Sequence, residues 1–152
     1  MRGNRGEGWV VAQVILFAGY LLAPRLGGWN WPLRLLGWVV GLPLLITGLV
    51  FAAYGLVGLG PALSPFPRPR PGGALVTSGI YGCVRHPIYG GVVMAALGFA
   101  LLSGSLGRML MALALLGFFA GKSGKEEEWL VEEYPDYPSY QATVRRMLPG
   151  IW

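Results

Sequence analysis

Residues 85–120 read RHPIYGGVVMAALGFALLSGSLGRMLMALALLGFFA, a polar start followed by two apolar runs. The runs cover 88–102 and 106–120, and each is about 15 residues long. Between them lies the linker Ser103-Gly104-Ser105, whose small residues favour a tight turn. This pattern predicts a hairpin of two membrane helices. Because each run is shorter than the roughly 20 residues of a perpendicular span, a helix that only re-enters the membrane is the alternative.

The whole chain has the composition of a membrane protein. Of its 152 residues, 54% are hydrophobic and 12% are charged, against about 25% charged residues in ordinary soluble domains. Two further apolar runs, 9–23 and 35–59, precede the hairpin. We therefore expect an all-α integral membrane helical bundle with about four transmembrane helices and a C-terminal cytoplasmic helical segment. It forms one domain over 1–152, with 1–63 as an N-terminal helical pair and 64–152 as the part that carries the chemistry.

The distribution of Lys and Arg predicts the orientation of the bundle. With four spans, both termini and the middle loop share one side of the membrane. That side holds nine basic residues: Arg2, Arg5, Arg68, Arg70, Arg85, Lys122, Lys125, Arg145 and Arg146. The other side holds three: Arg25, Arg34 and Arg108. The positive-inside rule then places both termini in the cytoplasm of a multi-pass protein. Most of the net charge of +5 lies near the predicted membrane boundaries. We therefore expect the protein to contact membrane lipids and not nucleic acid.

Two residue types occur once each and exclude several kinds of site. A single cysteine, Cys83, excludes an internal disulfide and a Cys-pair redox relay. A single histidine, His86, excludes a bis-histidine haem and a histidine-cluster metal site within one chain. We therefore expect no metal centre.

Two polar clusters are the candidates for chemistry. The first consists of Arg85 and His86 with Tyr81 and Tyr89, and the second is the acidic run 126–128. One helical hairpin separates them in the sequence. Because a hairpin returns the chain to the side on which it started, the two clusters are expected to meet in space.

Helix geometry sorts the three glutamates. Residues 122–133 have the pattern of a short amphipathic helix that leaves the membrane, and successive residues turn by about 100°. This places Glu126 and Glu127 beside the apolar side of the helix and Glu128 towards water. A solvated acidic helix start remains the alternative for all three. The residues by themselves indicate a polar site but do not name a reaction.

The two clusters lie in longer runs that resemble known motifs. Residues 73–91 read GALVTSGIYGCVRHPIYGG and resemble the signature G-P-Y-x-x-x-R-H-P-x-Y-x-G. Residues 126–149 read EEEWLVEEYPDYPSYQATVRRMLP and resemble the pattern E-E-x-x-L…Y-x-x-Y…R-x-x-P. Both belong to the isoprenylcysteine carboxyl methyltransferase and phospholipid methyltransferase families, and the resemblance covers 64–152. Ile80 departs from the signature by replacing its proline, and Tyr134-Pro135 stands where Phe-Gly is common.

The resemblance implies S-adenosylmethionine as the cofactor, bound between the last two membrane helices and the C-terminal segment. The residues it assigns to the cofactor pocket are Tyr81, His86, Pro87, Tyr89, Gly90, Glu126 and Glu127. The residues it suggests for catalysis are Arg85, His86, Arg145 and Arg146. The two C-terminal arginines suit either an anionic group of the substrate or membrane anchoring. The implied acceptor is lipophilic: a prenylated or other apolar carboxylate, or a lipid amine.

Two other functions compete with methyl transfer. Membrane sterol reductases carry a similar R-H-P-x-Y segment and use NADPH, but they are much longer. A non-enzymatic four-helix membrane protein is the second alternative, although transporters usually place an ionisable residue at mid-membrane. Here only Gln13 and Arg108 are polar side chains of note inside the apolar runs.

Overall fold

The computed structural model describes residues 6–28, 30, 32–69 and 73–148. Within them the chain forms five α-helices and no strand: α1 Glu7–Leu22, α2 Leu33–Leu59, α3 Pro87–Ser103, α4 Leu106–Glu133 and α5 Tyr137–Thr143. Two single turns of 3₁₀ helix, Gly60–Ala62 and Gly79–Gly82, lie in the connection from α2 to α3. Three of the arginines used for the orientation prediction, Arg2, Arg5 and Arg70, lie outside the described residues.

The all-α prediction is confirmed, and each of the four apolar runs is a helix. The C-terminal end of α4 differs from the prediction, because 122–133 is not a separate helix but the continuation of α4. Gly121 and Gly124 alone do not end the helix there, and no proline interrupts it. By length and composition Leu33–Ala62 and Leu106–Glu133 can cross a membrane, whereas α1 and α3 are shorter. The count of four spans stays a prediction.

The predicted turn between α3 and α4 is confirmed in detail. Gly104 adopts a left-handed φ of 60° that a side chain would disfavour, and it ends α3. Ser105 caps α4 by accepting a hydrogen bond from the Arg108 backbone nitrogen at 3.3 Å. Its hydroxyl also donates to the Pro24 carbonyl at 3.3 Å, which ties the end of α1 to the hairpin.

Successive helices α1 to α4 run antiparallel. The start of α1, the end of α2, the start of α3 and the end of α4 therefore lie at one end of the bundle, which we call the site end. The Trp9 ring of α1 lies 5.5 Å from the Phe118 ring of α4. Deeper in the bundle, the Tyr20 hydroxyl of α1 donates to the Ala96 carbonyl of α3 at 2.6 Å. Both predicted polar clusters lie at the site end of the bundle.

Glycines bring α2 and α3 into close contact. They recur at every seventh position of α2 at Gly41, Gly48 and Gly55, and α3 opposes them with Gly91 and Gly98. A Cβ added at Gly48 would lie 2.6 Å from the Gly91 carbonyl oxygen, and one at Gly91 would lie 2.5 Å from the Ala52 nitrogen. Small residues at such positions let membrane helices pack backbone to backbone. The start of α3, which carries the first polar cluster, is therefore fixed against the end of α2.

We expect Gly91→Val to destabilise the bundle strongly, because the new side chain would meet the α2 backbone. Overpacking of this kind costs about 1–3 kcal/mol or more. The measurement is the midpoint of thermal unfolding in detergent. Gly117→Val is the matched control, because Gly117 is a helical glycine with nothing within 4 Å of an added Cβ. Equal unfolding midpoints for the two variants would contradict the close packing of α2 and α3.

Candidate active site

The end of α4 and the start of α3 bring the two polar clusters together, as the hairpin predicts. The side chain of Glu127 is 3% exposed, that of Glu126 is 24% exposed and that of Glu128 is 62% exposed. This confirms the helix-face prediction. Glu128 pairs with Lys125 at the surface instead.

Glu127 is the centre of a buried hydrogen-bond network, which we call the Glu127 clamp. Its Oε1 accepts from Arg85 Nε at 2.8 Å and lies 3.1 Å from His86 Nε2. Its Oε2 accepts from Gln141 Nε2 at 3.0 Å and from Arg146 Nη2 at 2.9 Å. Because an ionised carboxylate only accepts, His86 donates through Nε2. The clamp therefore joins the segment before α3, the end of α4 and the C-terminal segment.

Backbone hydrogen bonds reinforce the clamp. The Arg85 nitrogen donates to the Arg145 carbonyl, and the His86 nitrogen donates to the Arg146 carbonyl, both at 2.8 Å. The Arg85 guanidinium also donates through Nη1 to the carbonyls of Gln141, at 3.0 Å, and Val144. The C-terminal segment thus lies alongside the R-H-P motif like a short parallel strand pair, with a bridge between Val84 and Arg145.

Beside the clamp lies a cavity of about 360 Å³. Its apolar wall includes Leu56 and Leu59 from α2 and Leu130 from α4. Its polar and aromatic wall includes Tyr81, His86, Tyr89, Lys122, Glu126 and Tyr137. Apolar walls with a few converging polar groups, at this volume, are typical of small-molecule sites.

Glu126 is the acidic residue that faces the cavity. The Tyr89 hydroxyl donates to its Oε2 at 2.7 Å, and His86 Nδ1 lies 4.0 Å from the same oxygen. The Tyr89 ring stacks on His86, with centroids 5.4 Å apart, and on Phe119, with centroids 4.7 Å apart. This stack fixes the phenol and so orients the Glu126 carboxylate.

Not every residue assigned by resemblance lines the cavity. Tyr81, Arg85, His86, Tyr89 and Glu126 do. Five others, Pro87, Gly90, Glu127, Arg145 and Arg146, are not among its lining residues.

Four of these five have a side-chain or packing partner in the structure. Pro87 packs towards Gly55, and a Cβ on Gly90 would clash with the Met147 carbonyl. The glycine at position 90 therefore accommodates the chain's own backbone. Glu127 and Arg146 pair with each other. The side chain of Arg145 is exposed.

Lys122 is a cavity residue that sequence reasoning missed, because it was counted only as a cytoplasmic charge. It is 1% exposed. Its Nζ donates to Gln13 Oε1 at 2.6 Å and to the Pro65 carbonyl at 3.1 Å, and it lies 5.2 Å from the centroid of the Tyr89 ring. A signal was present, since Lys122, Glu126 and Leu130 recur at i, i+4 on one helix face and Gln13 is the single amide within the run 9–23.

Three tyrosines complete the site. The Tyr140 hydroxyl donates to the Tyr81 carbonyl at 2.6 Å, and the Tyr81 hydroxyl donates to the Gly55 carbonyl at 3.1 Å. Burial raises the pKa of Tyr140 to about 12, with the Arg85 guanidinium acting in the opposite direction. Burial also raises the pKa of Tyr81 and of Tyr137. The Tyr137 hydroxyl is buried and has no hydrogen-bond partner among the described residues.

A second cavity, of about 330 Å³, lies one helical turn deeper along α1, α2 and α3. Its walls are almost entirely apolar and include Phe17, Leu49, Ala52, Val92 and Ala95. The first cavity includes Gln13, Leu56 and Tyr89, each three or four residues from a wall residue of the second. An apolar compartment therefore adjoins the polar one.

The described residues contain no group of three or more His, Cys, Asp or Glu side chains that could hold a metal ion.

Comparison with known proteins decides the family. Residues 36–137 match the phospholipid methyltransferase family. The chain belongs to this family. The match spans α2, α3, α4 and the start of α5, and so includes the whole first cluster and Glu126 to Glu128. Together with its apolar helices, this membership identifies a membrane protein.

Two curated relatives resemble parts of the chain. The protein-S-isoprenylcysteine O-methyltransferase of Schizosaccharomyces pombe is 40% identical over 79 residues, which are 51% of this chain and 34% of that protein. The cobalt-zinc-cadmium resistance protein CzcN of Cupriavidus metallidurans is 27% identical over 146 residues, which are 94% of this chain and 62% of that protein. The chain thus spans about a third of the first relative and under two thirds of the second.

We expect Glu127→Gln to lower the free energy of unfolding by about 3 kcal/mol, because it leaves two arginines without their buried anion. The C-terminal segment should also become more sensitive to limited proteolysis. Thermal unfolding in detergent and the rate of C-terminal cleavage are the measurements. Glu128→Gln is the control, since an exposed ion pair contributes under about 1 kcal/mol. Unchanged unfolding and cleavage in Glu127→Gln would contradict the clamp.

Proposed function

We propose that the protein transfers a methyl group from S-adenosylmethionine to a lipophilic acceptor at the cytoplasmic face of a membrane. The observation that carries the proposal is Glu126, which is held by Tyr89 and His86 at the wall of a cavity where the two family motifs meet. Membership of a methyltransferase family supports the reaction class, and the isoprenylcysteine substrate named for the S. pombe relative supports a lipophilic acceptor.

The residues at the cavity suit this cofactor. S-Adenosylmethionine carries an ammonium, a carboxylate, a ribose and a sulfonium. Glu126 offers an acceptor for the ammonium or a ribose hydroxyl, and Lys122 offers a cation. The unpartnered Tyr137 hydroxyl offers a further polar contact. The faces of Tyr89 and Tyr81 suit a sulfonium, because aromatic rings attract cations.

The protein's own contribution to the reaction is alignment and exclusion of water. When bound, S-adenosylmethionine supplies an electrophilic methyl group. The Tyr89–Phe119 stack positions the Tyr89 ring, and Leu56 and Leu59 give the site an apolar wall that disfavours water. Alignment of the two reactants in such a site is a large source of rate enhancement. A carboxylate acceptor needs no base, whereas an amine acceptor must first lose its proton. The adjoining apolar cavity offers room for a hydrocarbon chain.

We expect the purified protein to bind S-adenosylmethionine and S-adenosylhomocysteine in detergent, and Glu126→Gln to weaken both. Loss of one charge-assisted hydrogen bond corresponds to roughly ten- to a hundredfold in affinity. Calorimetry measures the binding. Methyl transfer is measured with labelled cofactor on N-acetyl-S-farnesylcysteine and on phosphatidylethanolamine vesicles.

Glu128→Gln serves as the matched control, because it removes an equal charge one residue away on the exposed face. Binding of NADPH with no binding of either adenosyl compound would contradict the proposal and favour a membrane reductase.

The proposal includes a multi-pass topology with the site end in the cytoplasm, and labelling tests it. In a Cys83→Ser background we expect a cysteine at exposed Glu132 to be shielded from an impermeant maleimide in intact cells. A cysteine at exposed Gly28, at the other end of the bundle, should react. The reverse result would contradict the orientation, and equal reactivity at both positions would contradict a spanning bundle.

A further inference from the structure

Lys122 places a buried ammonium at the cavity wall without an ion pair. It lies one helical turn before Glu126 on α4, lines the cavity and is 1% exposed. An ammonium taken out of water normally has a carboxylate in contact, because the cost of removing its hydration is large.

The two hydrogen bonds that Lys122 makes with described residues go to neutral oxygens, and the Glu126 carboxylate one turn along α4 acts on the ammonium through its charge without forming an ion pair. The ammonium has three donors. Two of them go to neutral oxygens, Gln13 Oε1 and the Pro65 carbonyl, and the ring of Tyr89 lies 5.2 Å from Nζ. All seven acidic side chains of the sequence lie in described parts of the chain. None forms an ion pair with Lys122, and the carboxylate of Glu126 is held by the Tyr89 hydroxyl instead.

Two neutral acceptors orient the ammonium without neutralising it. Gln13 belongs to α1 and Pro65 to the loop after α2, so their oxygens hold Nζ at the cavity wall from two sides. This arrangement is complementary to an anion that enters the cavity, since the ammonium keeps its positive charge and a third donor.

We propose that Lys122 binds the carboxylate of a ligand in the cavity, an inference that rests on the proposed function. Two ligands of that reaction carry one: the methionyl carboxylate of the cofactor and the carboxylate of an acidic lipophilic acceptor. The same ammonium disfavours a protonated amine beside it, because like charges repel in a low-dielectric site.

The test compares Lys122→Met and Lys122→Gln with two matched controls. Lys125→Met removes a lysine three residues away that pairs with Glu128 at the surface. Gln13→Met removes a partner of Lys122 but keeps the charge. Folding of each variant is checked by size-exclusion chromatography and thermal unfolding in the same detergent. If Lys122→Met does not fold, Lys122→Gln, which keeps a polar head group, carries the comparison.

The probes separate the two sources of carboxylate. S-Adenosylhomocysteine has the amino-acid carboxylate, whereas 5′-methylthioadenosine lacks it. If the cofactor supplies the carboxylate, Lys122→Met weakens binding of the first about tenfold or more and leaves the second unchanged. If the acceptor supplies it, binding of both adenosyl compounds is kept, and the KM for N-acetyl-S-farnesylcysteine rises about tenfold or more. Lys125→Met retains both properties to within a few fold.

Two results would overturn the inference. One is a folded Lys122 variant that keeps both its adenosylhomocysteine affinity and its acceptor KM. The other is that Lys122→Met and Gln13→Met both lose affinity for S-adenosylhomocysteine and for 5′-methylthioadenosine to the same extent. Lys122 would then have a structural role, linking α1 to α4, and no role in carboxylate binding. An unsubstituted protein that binds no adenosyl compound contradicts the proposed function instead. The carboxylate site is then judged by whether Lys122→Met loses calorimetric binding of N-acetyl-S-farnesylcysteine.

Discussion

The Glu127 carboxylate is the group on which the geometry of the site depends. Donors from before α3 and from the C-terminal segment converge on its two oxygens at 2.8–3.1 Å. A buried carboxylate is tolerable only when its lone pairs are satisfied in this way. Because His86 belongs to the clamp and also stacks on Tyr89, the same anion positions the side chains that face the cavity. Its neighbour Glu126 lies at the wall of the cavity.

Much of the fold follows from the sequence. Apolar runs with a small polar linker predicted the helices and the hairpin turn at Gly104, since burial of apolar side chains and glycine's left-handed backbone determine both. The end of α4 was predicted wrongly at Ala120. Hydropathy falls there, but helix hydrogen bonds do not require an apolar face, and buried Lys122 and Ser123 continue the packing.

The sequence predicted which residues cluster at the site, but not which of them line the cavity and which form the Glu127 clamp. Helix spacing predicted the buried side of α4 correctly. It also predicted that Glu126 and Glu127 lie near His86, as they do. It gave no means of telling which of the two faces a cavity, because that depends on where the C-terminal segment crosses. For the same reason Gln141 was not predicted as a site residue, and Tyr140 entered only as part of the Y-x-x-Y pattern. Their roles come from contacts with residues 14 and 59 positions away, which no local pattern encodes.

The glycine contacts between α2 and α3 fix the axial position of one helix relative to the other. Because the glycines of α2 and α3 recur every seven residues, a shift of either helix by one turn of about 5.4 Å would place a residue with a side chain at the close backbone contact. The height of His86 above the apolar cavity is therefore fixed. Under the proposed function, the separation of the polar and the apolar cavity would then set the length of acceptor whose head group reaches the polar wall.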